Sequence, residues 1–328
     1  MKATHADVAL PASVPSRTSP PAPRPSFLSY IWRHKALYLM FMPGVLYLIV
    51  NNYIPMFGVV IAFKNVNYTD GIFGSPWVGF YNFKYLFLTN HAWVITRNTL
   101  AYNSVFILFN LAAGVTIAIL LNEVRHKLLS RFYQSAVFLP YFLSMVVVGY
   151  IVLGFLGMDS GFVNKSILEP LGLERIDWYA EPSYWIFILP IVNAWKYVGY
   201  TSVIYLAALA GFDPELYEAA KLDGASKWKQ IVHITIPLLF PVMIITTLLA
   251  IGRIFYADFG LFYQVPLNAG PLLPTTDVID TYVYRTFLIN GSIGMSSAAG
   301  LYQGLVGFVL VLVTNTIVRR ISKENALF

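Results

Sequence analysis

Six stretches of this 328-residue chain are long and apolar enough to cross a lipid bilayer, and that property leaves few folds open. They lie at about 36–63, 93–121, 133–157, 184–210, 231–257 and 297–318. Each is near the roughly 20 residues that span about 30 Å of hydrocarbon as a helix. Hydrocarbon offers no partner to a peptide N–H or C=O, so such a segment must satisfy its backbone internally, as a helix does. With 57% hydrophobic and 12% charged residues the chain is far from a soluble composition. The expectation is an all-α integral membrane protein with six transmembrane helices. Pro43 and Pro55 in the first segment, Pro190 in the fourth, and Pro237 and Pro241 in the fifth predict kinks that neighbouring helices must accommodate.

Charge sets the orientation. With the N-terminus inside, fourteen Lys and Arg fall in cytoplasmic parts: Lys2, Arg17, Arg24, Arg33 and Lys35, then Arg125, Lys127 and Arg131, then Lys221, Lys227 and Lys229, then Arg319, Arg320 and Lys323. Five fall outside: Lys64, Lys84, Lys165, Arg175 and Arg285. By the positive-inside rule both termini are cytoplasmic, in a multi-pass membrane protein. Residues 1–26, rich in Pro, Ser, Thr and Ala, read as a disordered tail, and 27–35 as an interfacial segment of aromatics beside Arg33, His34 and Lys35.

The polar stretch between the fourth and fifth segments, DPELYEAAKLDGASKWKQIVHITIP from Asp213 to Pro237, faces inside on this count. Asp213-Pro214 is a helix start and Gly224 a helix stop, with a second helical run from Ser226, so the stretch reads as two helices joined at a glycine elbow. Ala219 and Ala220 offer a flat patch for a docking partner, ringed by Glu215, Glu218 and Lys221.

The stretch resembles the signature of membrane subunits of binding-protein-dependent ABC importers. That signature is Glu-Ala-Ala, three residues, Gly, then an apolar residue and Leu-Pro; here it is Glu218-Ala219-Ala220, Gly224, Ile234 and Ile236-Pro237, with Ile in place of Leu. Further boxes similar to sugar permeases are Trp77 to Phe87, Asn98-Thr99-Leu100, Leu121-Asn122-Glu123 and Phe138-Leu139-Pro140. Pro55-Met56-Phe57-Gly58 resembles the subgroup importing polysaccharide fragments, including alginate oligosaccharides. The resemblance covers about residue 36 to the end. It implies the type I ABC importer permease fold, a cytoplasmic coupling segment at 213–230, and ATPase coupling by Glu218, Ala219, Ala220, Asp223, Gly224 and Pro237. It implies as partners a second related permease, a cytoplasmic ATPase dimer carrying ATP and Mg, an extracytoplasmic solute-binding protein and an oligosaccharide. The outer loops at 158–183 and 258–296 are either the seat of that binding protein or plain connections.

No chemistry of the chain's own competes with this reading. There is no phosphate-loop motif, so ATP must be hydrolysed by another chain, and this chain is expected to bind no cofactor. The five scattered histidines and the absence of cysteine give no metal site, and no nucleic-acid motif accompanies the net charge of +6.

What remains is polarity inside the spans. Lys196 sits near the middle of the fourth, Arg253 towards the outer end of the fifth and Arg97 near the outer end of the second, where a charge usually faces a cavity, a partner or an interface. Asn193, Tyr197, Tyr200 and Thr201 form one stripe with helical spacing, and Asn103 and Asn110 lie seven apart on the second span. Asn193, Lys196, Tyr197, Tyr200, Arg253, Asn103 and Asn110 are the pathway candidates. The asparagines serve equally as interhelical hydrogen bonds, and Lys196 has as alternatives an acidic residue of the second permease or backbone carbonyls. If Lys196 and Arg253 face the pathway, the substrate is expected to be acidic, as uronic acid oligomers are. A neutral sugar or other small solute is the alternative. A stand-alone secondary transporter would need carboxylates in its spans, and none is there.

Overall fold

The computed structural model describes residues 32–321. The tail at 1–26, most of the interfacial segment at 27–35, and Lys323 lie outside the described residues. Two compact units divide the chain, 1–57 and 58–328. Helix α1 (Lys35–Phe63) begins in the first, where none of its residues up to Phe57 is buried.

The second unit is helical throughout; among the described residues a single β bridge, Lys64 to Trp77, stands in for any strand. The short helix α2 (Tyr81–Leu88) follows that bridge. Its Asn82 is buried and donates to the Ala62 and Lys64 carbonyls at 2.9 and 3.0 Å, while Phe63, Trp77, Phe80 and Phe83 cluster beside it. Helix α3 (His91–Asn122) is a single run of 32 residues.

The third apolar segment departs from the expectation of one span at 133–157. It is two helices, α4 (Lys127–Phe142) and α5 (Met145–Leu156), bent by 99° at the residues between them. Pro140 denies the chain a donor, Leu143 and Ser144 are extended, and Ser144 Oγ restarts the helix by accepting from Val147 N–H. Helix α6 (Pro182–Leu209) follows, then the short α7 (Pro214–Leu222) and α8 (Lys227–Ile251). Because α8 ends at Ile251, Arg253 belongs to a turn beyond the helix and not to a span reaching 257. Two further helices, α9 (Phe259–Gln264) and α10 (Ile279–Leu288), precede the last, α11 (Ile293–Ile321).

By length and apolarity α1, α3, α8 and α11 are each able to cross a membrane, and the bent α4–α5 pair makes a fifth crossing if taken as one. The 28-residue α6 falls short only in composition, because it carries Asn193, Lys196 and several tyrosines. Asn193 and Lys196 are covered by protein: α6 lies along α3 at the centre of the unit. One cluster joins Tyr102, Phe106, Trp185, Leu189 and Phe262, and another joins Val115, Ala118, Tyr205, Leu209 and Leu239. At Gly199 α6 meets the backbone of α4 so closely that a β-carbon would overlap the Val137 carbonyl.

Candidate functional site

The 213–230 stretch folds as its residues suggest. Asp213 accepts from Glu215 N–H at 2.9 Å and Pro214 opens α7. Gly224 ends it with φ +76°, a conformation a β-carbon disfavours. Ala225 N–H returns to the Ala220 carbonyl at 2.9 Å and Gly224 N–H to the Lys221 carbonyl at 3.1 Å, closing the helix in a Schellman motif. Ser226 then caps α8. No residue of α7 is buried, and Leu222, 89% exposed, and Trp228, 72% exposed, stand out from a chain segment that has no core of its own to cover them. Glu218, Ala219, Asp223 and Gly224 are exposed and Ala220 half-buried. Two ties hold this elbow to the helices: Lys227 pairs with Glu123 at the end of α3 at 2.9 Å, and the Tyr217 hydroxyl bonds Thr235 Oγ at 3.2 Å. Pro237 lies two residues beyond a π turn, Ile231–Thr235, at the start of α8.

The pathway candidates divide. Lys196 is buried, 5% exposed, and its ammonium donates to the carbonyls of Pro140, Tyr141 and Leu143 at 3.3, 3.1 and 2.5 Å. These carbonyls lie where α4 ends and the chain turns into α5, and that of Pro140 also accepts from Leu143 N–H at 3.2 Å. An ammonium there satisfies acceptors that hydrocarbon cannot and complements the negative end of the α4 dipole. The expectation that Lys196 offers its charge to a substrate is therefore corrected: the broken third span takes it up. Asp258, just past the fifth span, adds a negative charge nearby and accepts from the Tyr197 hydroxyl. The sequence hid this, because Asp258 reaches the site by folding back in the α9 cap, where it also accepts from Leu261 N–H.

The asparagines bond between helices. Asn103 Nδ2 donates to the Ile254 and Tyr256 carbonyls at 2.7 and 3.1 Å, holding the turn that follows α8. Asn110 Nδ2 donates to Asn193 Oδ1 at 3.0 Å, joining α3 to α6. Asn110 Oδ1 is buried without a hydrogen-bond partner.

Asn110 and Tyr200 do meet at a cleft of about 320 Å³ between α3, α6 and α8, lined also by Phe106, Thr201, Thr246 and Thr247. Beside it Tyr200 stacks on Tyr141 with centroids 4.8 Å apart and planes 12° from parallel, and Phe138 stacks on Tyr141 at 5.5 Å. Aromatic faces and threonine hydroxyls suit a polyhydroxylated ligand. Sequence reasoning found Tyr200 and Asn110 by helical spacing but missed Tyr141, whose stacking depends on the bend in the third span. Arg253 is exposed in its turn, and none of the ion pairs among the described residues involves it.

Residues 110–323 match the family of binding-protein-dependent transport system inner membrane components, about two thirds of the chain. The chain belongs to that family. Relatives of this permease include the protein LplB of Bacillus subtilis (strain 168), 36% identical over 92% of this chain and 93% of its own. The polygalacturonan/rhamnogalacturonan transport system permease protein YteP of the same organism is 34% identical over the same shares. Among solved structures, the permease is similar to a chain of a bacterial ABC transporter involved in the import of the acidic polysaccharide alginate. That match has TM-score 0.81 and 32% identity over 90% of this chain and 99% of the other. The alginate transporter in complex with an alginate pentasaccharide-bound periplasmic protein matches with TM-score 0.80 and 32% identity, over 90% and 98%.

Proposed function

We propose that this permease, with a second related permease, forms the pathway by which an acidic oligosaccharide, alginate-like in carrying uronic acid units, enters the cytoplasm. The observation that carries the reading is the correspondence along 90% of the chain with a subunit of an alginate importer. The relative that transports polygalacturonan and rhamnogalacturonan supports the same class of substrate. The protein lies in the bacterial inner membrane with both termini inside and takes its substrate from an extracytoplasmic binding protein. ATP and Mg belong to a separate ATPase dimer.

The coupling surface is the α7 elbow: Glu218, Ala219, Ala220, Asp223 and Gly224 present a capped surface helix to the ATPase, and Pro237 sets the geometry of α8 past its π turn. A surface helix that buries nothing in its own chain is supported as a docking element, because its apolar Leu222, and Trp228 just past the elbow, otherwise face solvent. The proposed pathway uses the cleft at Asn110, Tyr200 and Thr201 for sugar rings and Arg253 for substrate carboxylates.

The test is uptake by the complete importer in proteoliposomes. Alginate oligosaccharides delivered by the binding protein should stimulate ATP hydrolysis and accumulate inside, and neutral oligosaccharides of equal length should do neither. Arg253→Gln should raise the KM for the acidic substrate severalfold. Equal transport of neutral oligosaccharides would replace the acidic reading with a neutral one.

A further inference from the structure

Arg97 is an exposed residue near the start of the spanning helix α3 that the transport reading leaves without work. It lies six residues into α3, about 9 Å along the axis from the helix start at 1.5 Å per residue. Its guanidinium is held in place from one side. Nε and Nη2 donate to Asn98 Oδ1 at 3.1 and 2.9 Å, and Nη2 also donates to the Pro274 carbonyl at 2.9 Å. Asn98 is buried and fixed in turn by the carbonyls of Pro274 and Asp277, at 3.2 and 2.9 Å. The guanidinium is thus oriented through a buried amide, while Nη1 keeps two donors with no protein acceptor and no carboxylate among the described residues pairs with it.

Next to it runs a groove of about 290 Å³ lined by Ala101, Tyr102 and Val105 of α3, Ile186 and Pro190 of α6, and Thr275. Arg97, Ala101 and Val105 recur every four residues on one face of α3. Asn103 and Asn110 lie about 120° to 140° away round the same helix, at 3.6 residues per turn. The groove is therefore separate from the cleft at Asn110, and it is apolar except at its head. An uncompensated, oriented cation at the mouth of an apolar groove, near the end of a spanning helix, matches an amphipathic anion in both halves. Guanidinium recognises phosphate oxygens by paired hydrogen bonds and is the side chain that tolerates this depth by reaching for the headgroup layer.

We propose that Arg97 and this groove hold a phospholipid of the leaflet opposite the 213–230 stretch, its phosphate on the guanidinium and one acyl chain along Ala101, Val105, Ile186 and Pro190. The site binds α3 to α6 from outside the pathway, and its occupant is a membrane component, distinct from the transported sugar.

The experiment is native mass spectrometry of the assembled importer, purified in mild detergent and equilibrated with vesicles of phosphatidylglycerol and phosphatidylethanolamine. Wild type should retain one phospholipid per copy of this subunit. Arg97→Gln should weaken retention at least tenfold, and Arg97→Lys less. Val105→Trp, which fills the groove and spares the guanidinium, should displace the lipid in a complex whose assembly is checked by size exclusion. Equal retention in wild type, Arg97→Gln and Val105→Trp would overturn the site. So would a photocrosslinker at position 101 that reaches the second permease in place of lipid. An increased KM for an acidic oligosaccharide in Arg97→Gln with lipid retention unchanged would assign the guanidinium to substrate and equally overturn the proposal.

Discussion

Lys196 illustrates how one charged side chain can be read two ways and how geometry decides between them. A lysine in the middle of a spanning helix is expensive, and at the level of sequence its charge asks for an anion. The three carbonyls of Pro140, Tyr141 and Leu143 supply its acceptors, and Asp258 a negative charge nearby. Replacing Lys196 by Met keeps most of the stem and takes the ammonium from the Tyr141 and Leu143 carbonyls, so it should destabilise the protein by about 3 kcal/mol. Thermal unfolding of the detergent-solubilised complex measures this, with Lys196→Arg expected to recover part of the loss because it restores donors. A Lys196→Met protein as stable as wild type, yet impaired in transport, would return the ammonium to the pathway.

At the level of elements, prolines shape this fold more than their helix-breaking reputation suggests. Three π turns, Ile49–Tyr53, Val163–Leu168 and Ile231–Thr235, each lie just ahead of a proline: Pro55, Pro170 and Pro237. In every case the residue four before the proline falls inside the turn. The ring clashes with that carbonyl and offers it no N–H, and widening the turn by one residue relieves both problems. The same reasoning gives Pro237 of the Glu-Ala-Ala stretch a physical role inside α8, just past its π turn. The elbow before it depends on Gly224, whose φ of +76° is open to glycine and strained for a β-branched residue even though a β-carbon would meet nothing within 4 Å. Gly224→Val should therefore cost about 1–2 kcal/mol locally, leave the spans intact and uncouple ATP hydrolysis from substrate in the reconstituted complex. Gly224→Ala should lie between. Stimulated hydrolysis at the wild-type rate in Gly224→Val would separate the elbow from coupling.

For the molecule as a whole, orientation is the property on which the roles of both ends depend. The chain has no cysteine, so single cysteines report cleanly. Ser226→Cys in the elbow should react with an impermeant thiol reagent only in inside-out vesicles. Leu173→Cys, at an exposed position between α5 and α6, should react only from the opposite side. The reverse pattern would invert the topology and remove the case for ATPase docking at α7. The apolar stretches, the caps at Asp213 and Ser226, the glycine stop at Gly224 and the Lys and Arg bias were all legible along the chain, because each depends on residues within a few positions of one another or on total hydrophobicity. Helical spacing also singled out Tyr200 on α6 and Asn110 on α3, each along its own helix. The bend of 99° in the third span was not legible, since Phe138 to Ser144 reads as apolar chain until a lysine more than fifty residues later is seen to bind its carbonyls. Nor were the partners of Asn103, the return of Asp258 to Tyr197, or the stacking of Tyr141 on Tyr200. The sequence by itself determined that this chain crosses a membrane in helices and carries a capped, glycine-ended elbow at 213–230, because burial in lipid and helix capping are local demands. Which polar groups face a ligand and which merely satisfy a neighbour was decided only by the tertiary structure, because a buried donor takes whichever acceptor the packing brings within about 3 Å.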